Sequence, residues 1–135
     1  MNVTTGKYEE RLPCSGTLSV TDSDWSIRYY FPGPTARHNG TFFTIPGRSV
    51  PEYITILREN WDQLEALKAA VPTGGEFSKT GKLSTSIRIG TFAAGVCLHY
   101  HYLPINTKKQ LDEVIAGFEY AIQRAARVQT MLQAL

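Results

Sequence analysis

Three polar side chains that suit an anionic, ring-bearing ligand follow one face of the last predicted helix. Tyr120, Arg124 and Arg127 are spaced i, i+4 and i+7, so a helix brings them to the same side. Two guanidinium groups can hold a phosphate through parallel N–H donors, and a tyrosine ring can stack on a base. A charged helix face is equally typical of a solvated surface, so the pattern predicts either a ligand site or plain solvent exposure.

A second anion site is predicted where the first helix begins. Gly47-Arg48-Ser49 places an arginine beside helix N-terminal amides, which carry a partial positive charge and point outward. The alternative is an ordinary helix cap with a solvated arginine. Asn106, next to the start of the last helix, is also assigned to the predicted ligand site.

Cys97, His99 and His101 alternate along one predicted strand, which would bring a thiolate and two imidazoles to one face. A zinc ion there would need Cys14 or His38 as its fourth ligand. The alternative is a mixed polar and aromatic strand at a sheet surface or subunit interface. No nucleophile elbow, metalloprotease helix, phosphate-binding loop or dinucleotide fingerprint occurs in the sequence. The prediction is therefore a protein that is not an enzyme and has no cofactor, with zinc chemistry at His99 and His101 as the minor alternative.

A fourth group of candidates surrounds the loop at residues 37–40, which reads Arg-His-Asn-Gly. Arg28, Tyr29 and Tyr30 precede it on a predicted strand. A basic and aromatic neighbourhood of this kind can contact nucleotides. It can equally be the tip of a surface hairpin.

The elements that must position these residues are predicted from hydrophobic periodicity. Alternating residues predict strands at 16–20, 25–31 and 41–45 in the first half and at 84–90 and 96–103 in the second. A further, mostly polar strand is predicted at 7–12, ended by Pro13. Capping-box residues start two helices, one at Ser49 that runs to Val71 and one at Thr107. The predicted fold is α+β, with a mainly antiparallel sheet and two long helices on one face, in the order β-β-β-(β)-α-β-β-α.

Length and composition limit the class of protein. A chain of 135 residues suggests one domain over 1–135, with residues 1–6 flexible. The net charge of +2 does not by itself indicate a nucleic-acid partner. No apolar run is long enough to span a membrane, and no secretory leader is apparent. Two distant cysteines favour a reducing compartment, so a cytoplasmic location is predicted.

In size and layout the chain resembles the small phage anti-Thoeris proteins that sequester cyclic ADP-ribose signals. Those proteins share a β-rich first half, two helices and an assembly face. The resemblance implies that arginines on the last helix and near the middle helix hold a diphosphate while an aromatic ring covers the base. The resulting ligand-binding residues are Arg48, Arg58, Phe92, Asn106, Tyr120, Arg124 and Arg127.

The leading prediction is therefore a binding protein that sequesters a small phosphorylated ligand, either a cyclic nucleotide or a cyclic ADP-ribose immune signal. It would act as a homo-oligomer, a dimer or larger assembly up to a hexamer, in the host cytoplasm if a phage encodes it. The alternative is a single-stranded nucleic-acid-binding module with a layout of the Whirly kind. The modest net charge argues against that alternative, because backbone binding usually rests on several clustered cations.

Overall fold

The computed structural model describes residues 6–13, 16–31, 41–91, 93–100 and 102–135. The chain forms two compact units, one built from Glu52–Asp112 and the other from the segments on either side of it, residues 1–51 and 113–135. Strands and helices follow one another as β1 Tyr8–Arg11, β2 Thr17–Val20, β3 Trp25–Phe31, β4 Thr41–Pro46, α1 Val50–Ala70, β5 Phe77–Thr80, β6 Ser86–Ile89, β7 Ala94–His99, β8 Tyr102–Ile105 and α2 Lys108–Gln133.

The first unit contains a four-stranded antiparallel sheet in the order β1-β2-β3-β4. Because side chains alternate along a strand, one face of this sheet collects the apolar residues and the other the polar ones. The buried residues of the apolar face are Leu18, Val20, Ile27, Tyr29 and Ile45. The C-terminal part of α2 belongs to the same unit, and the ring of its buried Phe118 meets the ring of Tyr29 edge-on, with centroids 6.5 Å apart.

The second unit contains the sheet β5-β6-β7-β8, also antiparallel throughout. Most of α1 belongs to this unit, and its buried stripe includes Leu57, Trp61 and Leu64. Polar contacts fix the helix against the segment before β6: the Tyr53 hydroxyl donates to the carbonyl of Leu83 at 3.1 Å, and the Asn60 amide donates to Thr85 Oγ1 at 2.9 Å.

The start of α2 confirms the capping box predicted from the sequence. Thr107 Oγ1 accepts from the Gln110 amide at 3.1 Å, and Gln110 Oε1 accepts from the amides of Thr107 and Asn106 at 3.2 and 2.8 Å. These bonds satisfy backbone donors that the first turn of a helix otherwise leaves without partners. The other predicted helix runs over Val50–Ala70, after a short 3-10 turn at Gly47–Ser49.

The predicted α+β class, with antiparallel strands and two long helices, is confirmed. The strand prediction at 96–103 is wrong in one respect, because the chain reverses within it and β7 pairs with β8 through His99 and Tyr102. Tyr100, with φ of 54°, lies in the turn between them, so it does not continue the face of Val96 and Leu98. The sequence interpretation also missed β5, whose exposed polar residues hide its pairing with β6. No helix in the described part of the chain is long and apolar enough to cross a membrane.

Candidate nucleic-acid interface

The polar side of the first sheet, called here the outer face, presents a regular array of side chains. Since Leu18, Ile27 and Ile45 point to the core, the residues next to them along each strand point the opposite way. The outer face comprises Glu9, Arg11, Thr17, Ser19, Ser26, Arg28, Tyr30, Phe42 and Thr44.

Two aromatic rings stand side by side on the outer face. Tyr30 and Phe42 are directly opposite each other on β3 and β4, their ring centroids are 5.2 Å apart and their planes are tilted by 55°. Tyr30 is 56% exposed and Phe42 is 58% exposed. Large rings usually gain free energy from burial, so two adjacent exposed rings form an apolar patch that is a candidate contact surface.

A cation lies next to these rings. The guanidinium carbon of Arg28 is 4.8 Å from the centroid of Phe42, a cation–π contact that keeps the charge on the outer face. Arg28 lies opposite both Thr17 and Thr44, and Arg11 lies opposite Thr17, so one row across the sheet reads Arg11, Thr17, Arg28, Thr44. Two arginines and two hydroxyls in a row suit phosphate oxygens.

The carboxylate on the outer face is already compensated. Glu9 Oε1 is 2.8 Å from Lys7 Nζ, and this bond to Lys7, followed by the charge of Arg28, lowers the pKa of Glu9 below its ordinary value. Arg11 and Arg28 form no ion pair with a carboxylate of the described residues. Their charges therefore remain available to an anionic ligand.

On the predicted helix face at Tyr120, Arg124 and Arg127, one of the two arginines is already bound by residues of β1. Arg124 Nε donates to Glu10 Oε1 at 3.0 Å, and its Nη2 donates to the Tyr8 hydroxyl at 3.3 Å. The hydroxyls of Tyr8 and Tyr120 both donate to the Glu10 carboxylate. Arg124 is thus the partner of a carboxylate from β1, which reduces its capacity to hold a phosphate.

Hydrogen bonding in this cluster shifts the pKa values of Glu10, Tyr120 and Arg124. The hydrogen bond from Tyr120, then that from Tyr8, lowers the pKa of Glu10, and Arg124 adds to the effect. The same bond raises the pKa of Tyr120, because a phenolate would lie against the Glu10 carboxylate. Bonds to Tyr8 and Glu10 raise the pKa of Arg124. The cluster joins β1 to α2 as an ionic tie within the first unit.

Arg127 is exposed and makes no ion pair among the residues that the structure describes. It lines a small hollow of about 80 Å³ together with Tyr120, Gln123 and Arg124. Three of the seven predicted ligand residues, Tyr120, Arg124 and Arg127, therefore line one hollow on α2. Arg48 belongs to the same unit but lines a separate cavity.

The remaining predicted ligand residues belong to the second unit or lie outside the described residues. Arg58 is exposed on α1. Asn106 lines a cavity of about 280 Å³ with Arg88 and Cys97. Phe92 lies outside the described residues, and so does the loop at 32–40, which contains the predicted group at 37–40.

For the zinc alternative, no group of three His, Cys, Asp or Glu residues in the described part of the chain could hold a metal ion. Cys97 is buried at 2% exposure, and that burial raises the pKa of its thiol, which disfavours the thiolate that zinc requires. Of the other four candidate ligands, His99 ends β7, and Cys14, His38 and His101 lie outside the described residues.

Phe42 is the interface residue that sequence reasoning missed. The stretch Thr41-Phe42-Phe43-Thr44 contains two adjacent aromatics. Because adjacent side chains of a strand point to opposite faces of the sheet, only one of the two rings can point to the core. Pairing β4 with β3 places Phe42 opposite Tyr30, on the polar side. The alternation of β3, which predicts Tyr30 outward, was the signal that could have located this second ring.

Comparisons of this chain with protein-family models, curated proteins and solved structures find no match.

Proposed function

We propose that this protein binds single-stranded nucleic acid on the outer face of its first sheet. The observation that carries the proposal is the exposed pair Tyr30 and Phe42 with Arg28 against the second ring. Aromatic rings on an open sheet stack with unpaired bases of any sequence, and neighbouring arginines hold the phosphates. A duplex, whose bases are already stacked on each other, offers no such contact.

The arrangement supports a binder of modest affinity that does not read sequence. The tilt of 55° between the rings fits two successive bases better than one flat ring system. The hydroxyls of Thr17, Ser26 and Thr44 flank Arg28 and offer hydrogen bonds to sugar and phosphate oxygens. Two arginines on this face, neither in an ion pair among the described residues, give few phosphate contacts, which agrees with the net charge of +2.

Fluorescence anisotropy with a labelled oligothymidylate of about 15 nucleotides tests this function, since that length fills a binding surface of domain size. We expect saturable binding that a duplex of the same length competes poorly. For two phosphates neutralised by Arg11 and Arg28, the logarithm of the affinity should fall with the logarithm of salt concentration with a slope of about −1.4. Absence of binding at low salt, with folded protein, would remove the proposal.

A second candidate function is the sequestration of a small cyclic nucleotide or cyclic ADP-ribose signal at α2. The observation that favours it is Arg127, which lies beside Tyr120 without a carboxylate partner in the described residues. Arg124 would have to leave Glu10 to take part in a two-arginine clamp. For this reason the outer face supports binding of nucleic acid better than α2 supports sequestration.

The two candidates give different results in one competition experiment. Cyclic ADP-ribose and cyclic dinucleotides are added to the preformed complex with labelled oligonucleotide, and free ligand is also measured after incubation with protein alone. Sequestration predicts loss of free cyclic ligand, abolished by Arg127→Ala and unaffected by Phe42→Ala. Binding on the outer face predicts that Phe42→Ala weakens the complex with labelled oligonucleotide and that Arg127→Ala leaves it unchanged.

The exposed rings could instead contact a second copy of the chain, in line with the predicted homo-oligomer. Size-exclusion chromatography with light scattering separates the two uses of the face. If Phe42→Ala converts an oligomer to a monomer and leaves oligonucleotide affinity unchanged, the outer face is an assembly surface. If it lowers affinity at constant mass, the face contacts nucleic acid.

A further inference from the structure

A second concave feature lies in the first unit, at the end of β4. A cavity of about 550 Å³ is lined by Trp25, Arg48, Gln129, Asp24 and the hydroxyl-bearing Ser26 and Thr44, among others. This volume lies within the range of sites that hold small ligands. Ser26 and Thr44 also belong to the outer face, so the cavity adjoins the row that contains Arg28.

The indole of Trp25 is held in place by a close approach of the backbone. A Cβ atom added to Gly47 would lie 2.4 Å from Trp25 Cε2 and 2.5 Å from its Nε1, so only glycine allows the ring to rest on this turn. An aromatic ring fixed in this way can stack on a planar ligand with little loss of side-chain entropy.

The charges around the cavity select the anion. Arg48 is exposed and has no ion pair with the described residues, so its guanidinium can take a phosphate through two parallel hydrogen bonds. Asp24, also on the wall, accepts a hydrogen bond from Thr21 Oγ1 at 2.9 Å. Among the described residues, Arg48 is the one cation on the wall, and one guanidinium offers a bidentate site for a single phosphate group.

We propose that the cavity beside Trp25 and Arg48 binds a nucleotide bearing a terminal phosphate, with the base against the indole and the phosphate on Arg48. Gln129 and the hydroxyl of Ser26 contribute hydrogen-bonding groups along the wall. A free nucleoside monophosphate and the phosphorylated end of a strand share this chemistry. The strand-end form rests on the proposed function of the outer face, whereas the free nucleotide form does not.

Tryptophan fluorescence tests the site directly. The chain has two tryptophans, and Trp61→Phe leaves Trp25 as the reporter. Adenosine monophosphate should quench this emission saturably. Arg48→Gln should weaken binding by about 10- to 100-fold, as expected for loss of a charge-assisted pair of bonds, while Arg88→Gln, an exposed arginine of the second unit, serves as the matched control and should have no effect.

The source of the nucleotide is resolved by comparing oligothymidylates that carry a 5′-phosphate, a 3′-phosphate or no terminal phosphate. Tighter binding of one phosphorylated form, lost in Arg48→Gln, assigns the site to a strand end. Quenching by adenosine monophosphate with equal affinity for all three oligonucleotides assigns it to a free nucleotide. Three results together would overturn the proposal: adenosine monophosphate does not quench the emission, calorimetry shows no heat of its binding to the wild-type protein, and no phosphorylated end is preferred. This holds even if unphosphorylated oligonucleotide binds to the outer face.

Discussion

Replacing Phe42 by alanine removes one of the two exposed rings and leaves the fold in place. Phe42 is 58% exposed, so little buried area is lost. The contacts removed are the cross-strand pair with Tyr30 and the cation–π contact with Arg28, each worth less than about 1 kcal/mol at an exposed site. We therefore expect the free energy of unfolding to fall by less than about 2 kcal/mol.

The expected effect of Phe42→Ala on binding is larger than its effect on stability. Stacking of a base on an aromatic ring contributes about 1–3 kcal/mol by alanine substitution, which corresponds to roughly a 5- to 150-fold loss of affinity. Tyr30→Ala should weaken binding to a similar degree. In the double variant the remaining affinity should come from the arginines and keep its dependence on salt.

Anisotropy titrations of the three variants against one labelled oligothymidylate give these numbers, and urea unfolding checks the fold. Tyr102→Ala is the matched control, because Tyr102 is a 40% exposed tyrosine on a strand of the second sheet. Wild-type affinity in folded Phe42→Ala and Tyr30→Ala would refute the assignment of the outer face. An equal loss in Tyr102→Ala would refute its specificity.

The remaining predictions concern stability. Glu10→Gln should lower the free energy of unfolding by about 1 kcal/mol at pH 7. Because the pKa of Glu10 is lowered in the folded state, the difference between variant and wild type should shrink as pH falls below 4.5 and vanish once Glu10 is protonated. Urea unfolding at a series of pH values measures this difference. Gly95→Ala should destabilise by about 1–3 kcal/mol, since its Cβ would lie 2.4 Å from the backbone oxygen of Ile105, and a change within 0.5 kcal/mol would contradict this packing. Phe118→Ala should cost about 3–5 kcal/mol in thermal or urea unfolding, because the ring is fully buried, and a smaller loss would mean that the first unit lacks this core.

Local patterns allowed much of the fold to be predicted. Thr107 and Gln110 form the capping box that their spacing indicated, and the alternation at 25–31 correctly predicted β3, which runs over Trp25–Phe31. These features depend on residues close in sequence. For that reason their physical causes can be read directly from the chain.

Other features depend on contacts that sequence spacing does not reveal. The reversal at Tyr100 lacks the glycine or asparagine that usually marks a two-residue hairpin turn, so the run of alternating residues read as one strand. Arg124 was interpreted as a phosphate ligand, because its partner, Glu10, is 114 residues away and sequence spacing does not reveal that contact. Phe42 needed the register of β3 and β4 before it could be placed beside Tyr30.

Photocrosslinking tests the central claim most directly. An oligothymidylate substituted with 5-bromodeoxyuridine is irradiated with the wild-type protein, and the crosslinked peptide is identified by mass spectrometry. Binding on the outer face predicts crosslinks at Tyr30 or Phe42, within residues 25–46, that duplex DNA does not compete. Crosslinks confined to Glu52–Asp112 or to α2 would contradict the account.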